Sequence, residues 1–128
     1  MKIVGIGVDI INNKRIQLSI KNRDFINRIF SQNEILNSKK FKNKTNFFSK
    51  RLAAKEALAK ALGIGFRDNL NFKDIQIINN KLGKPYYLVS SKIKSLIKKK
   101  KKIKNFNLFL SISDEKEYSI AFTMIEKI

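Results

Sequence analysis

Cysteine, histidine and tryptophan are all absent from this 128-residue chain. Without thiols or imidazoles there can be no disulfide, no cysteine nucleophile, no zinc-ligand set and no histidine base. Chemistry must then come from carboxylates, lysines, hydroxyls or a hard metal ion. Proline occurs once and glycine five times. Neither a linker nor an internal repeat interrupts the chain, so residues 1–128 are expected to form one domain, large enough to bury a core without staples. Long apolar runs are missing too. The first ten residues carry one lysine and a short apolar stretch broken by Gly5, Gly7 and Asp9, too short for a signal peptide or a membrane span. A cytoplasmic protein without a membrane partner is the default expectation.

Acidic residues are scarce, ten against 28 lysines and arginines, which leaves a net charge of +18. Such a field concentrates acidic partners, whether nucleic acid, anionic lipid, an acidic protein or a phosphate-rich cofactor, and does not choose among them. The lysine excess, beside abundant asparagine and isoleucine, is also what an AT-rich genome produces.

Residues 3–10 read as a buried strand, with Val4, Ile6, Val8 and Ile10 on one face and Ile3, Gly5, Gly7 and Asp9 on the other. Residues 12–37 are helical in pieces, carrying Ile16, Ile20, Phe25, Ile26, Ile29 and Phe30 at core spacings and a basic surface of Lys14, Arg15, Lys21, Arg23 and Arg28. After a polar loop at 38–44, Thr45 or Asn46 is expected to cap a helix that runs to Leu62 and stops at Gly63 and Gly65. At 100° per residue, Phe48, Leu52, Ala59 and Leu62 form its main apolar stripe, with Phe47 and Leu58 widening it, Lys55 inside the stripe and Glu56 at its margin. Charges there need a partner or an opening to solvent. Strands at 72–78 and 86–89, a basic helix at 90–104, and a closing hairpin from 106–113 and 118–125 complete the reading. Strands cluster after a helical middle without regular alternation, which predicts an α+β fold.

Asp9 and Glu56 are the two carboxylates whose expected surroundings least resemble a solvated surface. They suit a shared cation: magnesium takes oxygen ligands and is held by one or two carboxylates plus substrate phosphates. The spacing equally allows Asp9 to cap a turn and Glu56 to pair with Lys60 on an exposed helix face. Arg51, Lys55 and Lys60 on that helix, with Lys84 in the Gly83-Lys84-Pro85 turn, are candidates to receive phosphate charge, or else a solvated basic face. Gly63-Ile64-Gly65 is no phosphate-binding fingerprint and reads as a helix stop. The lysine run 98–102 reads as the solvated end of a helix. Phe47, Phe48, Phe72, Phe106 and Phe109 sit at core spacings, not as an exposed base-stacking row.

Four ordered motifs spanning nearly the whole chain carry a resemblance. They are Gly5-Ile6-Gly7-Val8-Asp9-Ile10, Lys50-Arg51-Leu52-Ala53-Ala54-Lys55-Glu56-Ala57, Gly83-Lys84-Pro85, and Leu110-Ser111-Ile112-Ser113-Asp114-Glu115 ahead of Tyr118. Together they resemble the short holo-acyl-carrier-protein synthases among the 4′-phosphopantetheinyl transferases. The resemblance implies an antiparallel sheet packed around a long central helix, and homotrimers with active sites between protomers. It implies Mg²⁺ held by Asp9 and Glu56, with Lys60 reaching the phosphates of coenzyme A and sharing the catalytic role with both acids. Lys42 and Arg51 match basic positions near the adenosine 3′-phosphate, and Gly83, Lys84 and Pro85 match the turn that lines the cofactor site. Lys14, Arg15, Arg23 and Arg28 fall on the surface expected to receive an acidic acyl carrier protein. The implied reaction moves 4′-phosphopantetheine from coenzyme A to a carrier serine, releases 3′,5′-ADP and supports fatty acid biosynthesis. Many relatives have a histidine where this chain has Asp114, which leaves the role of Asp114 open. A nucleic-acid-binding module or a structural basic protein would also account for the charge; both would leave the Asp9 and Glu56 motifs idle, and nucleic acid is not expected as a partner.

Overall fold

The computed structural model describes residues 2–66 and 69–128. Strand β1 (Lys2–Asn12) is followed by three short helices, α1 (Asn13–Ser19), α2 (Arg23–Ile29) and α3 (Gln32–Ser38), and by the long helix α4 (Lys44–Leu62). A 3-10 turn (Phe72–Asp74) leads into the hairpin of β2 (Gln76–Asn79) and β3 (Pro85–Leu88). Helix α5 (Ser91–Lys101) and a second hairpin, β4 (Phe106–Asp114) and β5 (Tyr118–Lys127), close the chain. β5 lies between β1 and β4 in an antiparallel three-stranded sheet, and β2 and β3 form a separate antiparallel pair. The architecture is α+β, as the order of elements predicts, with antiparallel sheet packed on the central helix, as the resemblance implies.

Helix α4 begins two or three residues earlier than a cap at Thr45 or Asn46 would place it. Its cap is Asn43, whose side chain accepts the Asn46 backbone N–H at 2.9 Å, and this satisfies one of the orphan donors of the first turn. Phe47, Phe48, Leu52, Ala53, Ala54, Ala57, Leu58, Ala61 and Leu62 are all buried. The helix is therefore covered on most sides, where its sequence stripe suggested one face. The alanines let the backbone of β1 come close: a Cβ built on Gly7 would lie 1.8 Å from the Ala57 carbonyl oxygen, and one on Gly5 would lie 2.4 Å from that of Ala61. Only glycine fits such an approach.

This contact settles which face of β1 is buried. The small-residue face turns inward, and Ile6, Val8 and Ile10 stand more than half exposed on the outer face of the sheet. Phe109, expected in the core, joins them at 46% exposure. The expectation of a wholly buried strand is corrected: from Gly5 onward alternation puts one face of β1 on the helix and leaves the other uncovered among the described residues, while the register shift between Ile3 and Gly5 leaves Ile3 exposed and packs Val4 on the core.

The region expected to be a strand from residue 72 begins instead with the 3-10 turn, because Asp74 Oδ2 accepts the Asn71 N–H at 2.9 Å and folds those residues tightly. The β2–β3 turn is held by Asn80, whose Oδ1 accepts from Leu82 N and Lys84 N, both at 2.9 Å, while Gly83 takes φ 88°. In α5 the apolar positions Ile93 and Ile97 are buried and the lysines remain outside, as its sequence suggests.

Candidate active site

Asp9 lies two positions beyond Gly7 on the same inward face of β1, so the approach that requires glycine also presses this carboxylate towards α4. Its side chain is 14% exposed. Lys60 on α4 donates to Asp9 Oδ1 at 3.0 Å and to the Val8 carbonyl at 3.1 Å. Asp9 Oδ2 is buried and has no hydrogen-bond partner. Glu56 sits one helical turn before Lys60. Burial, then the charge of Asp9, pushes its proton affinity above the ordinary carboxyl range, against the opposing pull of Lys60 and Arg15. Asp9, Glu56, Lys60 and Arg15 thus form one electrostatic neighbourhood on the seam between sheet and helix. The pairing of Glu56 with Lys60 allowed by sequence spacing is replaced by Lys60–Asp9, and the Asp9 side chain holds an ammonium instead of capping a turn.

The donor set fits a hard divalent cation. Two carboxylates converge there, one with an unsatisfied buried oxygen and the other with an anionic form made costly by its neighbour; a cation relieves both conditions. No group of three or more His, Cys, Asp or Glu side chains that could hold a metal occurs among the described residues, so a cation held by these two acids would take its further ligands from water and substrate phosphate.

Lys55 is not available to phosphate. Its side chain is fully buried and donates to Glu34 Oε1 at 2.7 Å, to the Phe72 carbonyl at 2.9 Å and to the Ile75 carbonyl. Burial lowers its proton affinity and Glu34 opposes the shift. The charge inside the apolar stripe has found a partner, and that partner is structural.

Arg51 is also buried. Its guanidinium lies 3.6 Å from the centroid of the Phe47 ring and donates through Nη2 to Asn79 Oδ1 at 3.1 Å, while Nε has no partner. Desolvation brings its pKa down to about 10. Through Asn79 it belongs with the hairpin that carries Gly83, Lys84 and Pro85, where Gly83 and Lys84 are exposed. Lys42 is exposed in the loop ahead of α4. Arg51 and Glu56, five residues apart, are turned about 140° from each other around the helix. One protomer therefore gathers the acids and Lys60 on one side and the Arg51–hairpin group on another. Lys14 and Arg15 on α1, with Arg23 and Arg28 on α2, are all exposed.

Asp114 ends β4 and is held by Asn46 Nδ2 at 2.6 Å and Lys50 at 3.6 Å. It borders a polar cleft of about 870 Å³ together with Lys14, Asn43 and Asn46; neither Asp9 nor Glu56 lines that cleft. Sequence reasoning missed Asn13. Its Oδ1 accepts from Ser49 Oγ at 2.6 Å and Ser119 Oγ at 2.8 Å, and its Nδ2 donates to the carbonyls of Glu115 at 3.0 Å and Lys116 at 3.2 Å. This fully satisfied amide pins the β4–β5 turn to α1 and α4. The signal was present in Ser49 and Ser119, two hydroxyls at inward positions of otherwise apolar elements.

The family model described as the 4′-phosphopantetheinyl transferase superfamily matches residues 5–123. A holo-[acyl-carrier-protein] synthase of Pelagibacter ubique (strain HTCC1062) is 61% identical over 127 residues, covering 99% of each chain. The crystal structure of a holo-[acyl-carrier-protein] synthase from Neisseria meningitidis superposes with a TM-score of 0.85 at 38% identity, covering 98% of this chain and 100% of that one. That of a Bacillus anthracis str. Ames holo-(acyl-carrier-protein) synthase in complex with CoA (3′,5′-ADP) gives 0.81 at 35% identity, with 98% of both chains covered. With the match running through sheet and helix alike, the chain belongs to the 4′-phosphopantetheinyl transferase superfamily, in its holo-[acyl-carrier-protein] synthase branch.

Proposed function

We propose that this enzyme transfers 4′-phosphopantetheine from coenzyme A to a serine of an apo acyl carrier protein, releasing 3′,5′-ADP, and that the holo carrier serves fatty acid biosynthesis. The observation that carries the reading is the Asp9–Glu56–Lys60 constellation on the seam between β1 and α4. Asp9 and Glu56 would hold Mg²⁺, which would supply charge neutralisation to the diphosphate and polarisation to the phosphorus under attack. Lys60 neutralises the negative charge that develops on the phosphate oxygens. The serine Oγ forms the new bond to phosphorus, the bond to the 3′,5′-ADP oxygen breaks, and the serine proton leaves to Glu56 or to a water beside it. Arg51, Lys42, Lys84 and the Gly83–Pro85 turn hold the adenosine end.

Two features support a homotrimer with sites between protomers. Arg51 and the hairpin face away from Glu56 within one chain, so a neighbour's set must complete the site. The outer sheet face, with Ile6, Val8, Ile10, Phe109, Ile120 and Phe122 each at least 39% exposed, has the apolar character of an interface core. Arg15 links the carrier surface to the chemistry: it lies on exposed α1 and its charge is felt at Glu56, so an acidic carrier docked on α1 and α2 delivers its serine beside the acid pair.

The test is to incubate the protein with coenzyme A, MgCl₂ and apo acyl carrier protein and to follow the carrier by intact mass. One phosphopantetheine should be added, dependent on magnesium and lost in Asp9→Ala. Carrier mass unchanged with several apo carriers would overturn the proposal.

A further inference from the structure

We propose that Lys60 couples metal binding to phosphate-donor binding: its ammonium competes with the cation for Asp9 until a diphosphate draws it away. The inference rests on the proposed metal role of Asp9 and Glu56 and adds a device that the role does not require.

The geometry is asymmetric. Lys60 reaches Asp9 Oδ1 at 3.0 Å and Val8 O at 3.1 Å from a side chain that is 54% exposed, whereas Asp9 is 14% exposed and seated on a strand. Lysine, on a flexible four-carbon stem, can leave this pair; the aspartate cannot follow. The charges that act on Glu56 are Asp9, Lys60 and Arg15, so with Glu56 ionised the neighbourhood holds two negative and two positive groups and has little net attraction for a dication. A diphosphate one helical turn from Glu56 offers Lys60 a stronger acceptor than a single carboxylate oxygen. Once Lys60 turns to it, both Asp9 oxygens are available to the cation, and the phosphate adds ligands of its own. Each ligand then tightens the other by the same factor.

The experiment titrates Mn²⁺ into the protein and reads free Mn²⁺ by electron paramagnetic resonance, with and without coenzyme A, for the wild type, Lys60→Met and Lys50→Met. Lys60 is exposed, so its replacement leaves the core untouched. Lys50 is a partly exposed lysine on the same helix that pairs with Asp114 instead, and it controls for the loss of one positive charge. Lys60→Met is expected to bind Mn²⁺ roughly fivefold more tightly than wild type without coenzyme A, the scale of a partly exposed ion pair. The tightening caused by coenzyme A should be smaller in Lys60→Met than in wild type, and Lys50→Met should match wild type. Equal Mn²⁺ affinity of wild type and Lys60→Met, or a gain in Mn²⁺ affinity in Lys50→Met as large as that in Lys60→Met, overturns the coupling while leaving the metal site standing. Absence of Mn²⁺ binding in every protein, even with coenzyme A, overturns the metal site itself and the coupling with it.

Discussion

Lys55 and Glu34 lie 2.7 Å apart, ammonium to carboxylate, with both side chains shut away from solvent. Glu34 does three further things: its Oε1 accepts from Ser31 N at 3.0 Å and its Oε2 from Ile77 N at 3.2 Å, while its own backbone N–H is capped by Ser31 Oγ at 3.2 Å. The pair therefore ties α3, α4 and β2 at one point, one residue before Glu56 on α4. Removing one partner leaves the other charge buried and alone. Lys55→Met should cost about 3–5 kcal/mol in urea unfolding. The double variant Lys55→Met with Glu34→Leu should be more stable than the sum of the two single losses implies. Strict additivity would mean that the two groups do not share one buried interaction.

Gly7 tests how closely β1 rides on α4. An added methyl would meet the Ala57 carbonyl at 1.8 Å and Ala61 N at 2.7 Å, both backbone atoms that cannot swing aside. Gly7→Ala should destabilise the protein by about 3 kcal/mol or more and should also weaken transfer, because the strand that moves carries Asp9. Gly65→Ala, where a Cβ meets nothing within 4 Å, should change neither unfolding midpoint nor activity appreciably.

Much of this was legible in the sequence for physical reasons. In β1 Asp9 ends a row of small residues on one face of the strand, and the acids at 9 and 56 stand out in the sequence as the two least suited to an ordinary solvated surface. The outward orientation of Ile6, Val8 and Ile10 was not legible: alternation assigns residues to two faces without saying which face meets the helix. The fate of Lys55 was not legible either, because its partner Glu34 lies 21 residues away and only tertiary packing brings them together. Lys60 illustrates the limit of local rules, since its spacing pointed to Glu56 and the fold gave it to Asp9.

The outer face of the sheet predicts an assembly. Val8 and Phe122 are cross-strand partners, and both are exposed on it, 53% and 39%. Charged replacements there should leave the protomer fold intact, because neither side chain contributes to its core. Val8→Lys or Phe122→Lys should convert a trimer to monomer in sedimentation velocity with unchanged far-ultraviolet circular dichroism. Transfer should fall with assembly, since the Arg51–hairpin group would no longer meet a neighbour's acids. A charged variant that still sediments as a trimer would place the interface elsewhere.

Glu56 joins stability and function with opposite signs. Burial and Asp9 raise its proton affinity in the folded protein above the ordinary carboxyl value of 4.5. The folded state therefore holds that proton more firmly than the unfolded chain does. Its contribution to stability is fully present below 4.5 and is lost as pH rises through the folded value. At neutral pH the ionised carboxylate is a net burden on the fold, small because the group is only half-buried and solvent screens it. Glu56→Gln should then be more stable than wild type at pH 7, by less than about 1 kcal/mol, and the advantage should vanish when unfolding is measured well below 4.5. Activity runs the other way. If Glu56 holds the cation as proposed, transfer should rise with pH across the interval in which stability declines, and Glu56→Gln should lose more than about a hundredfold in turnover. Paired urea titrations and turnover measurements across that interval separate the two roles: a Gln variant destabilised at pH 7 would show that the carboxylate serves the fold, and one with near-normal turnover would remove it from the metal site.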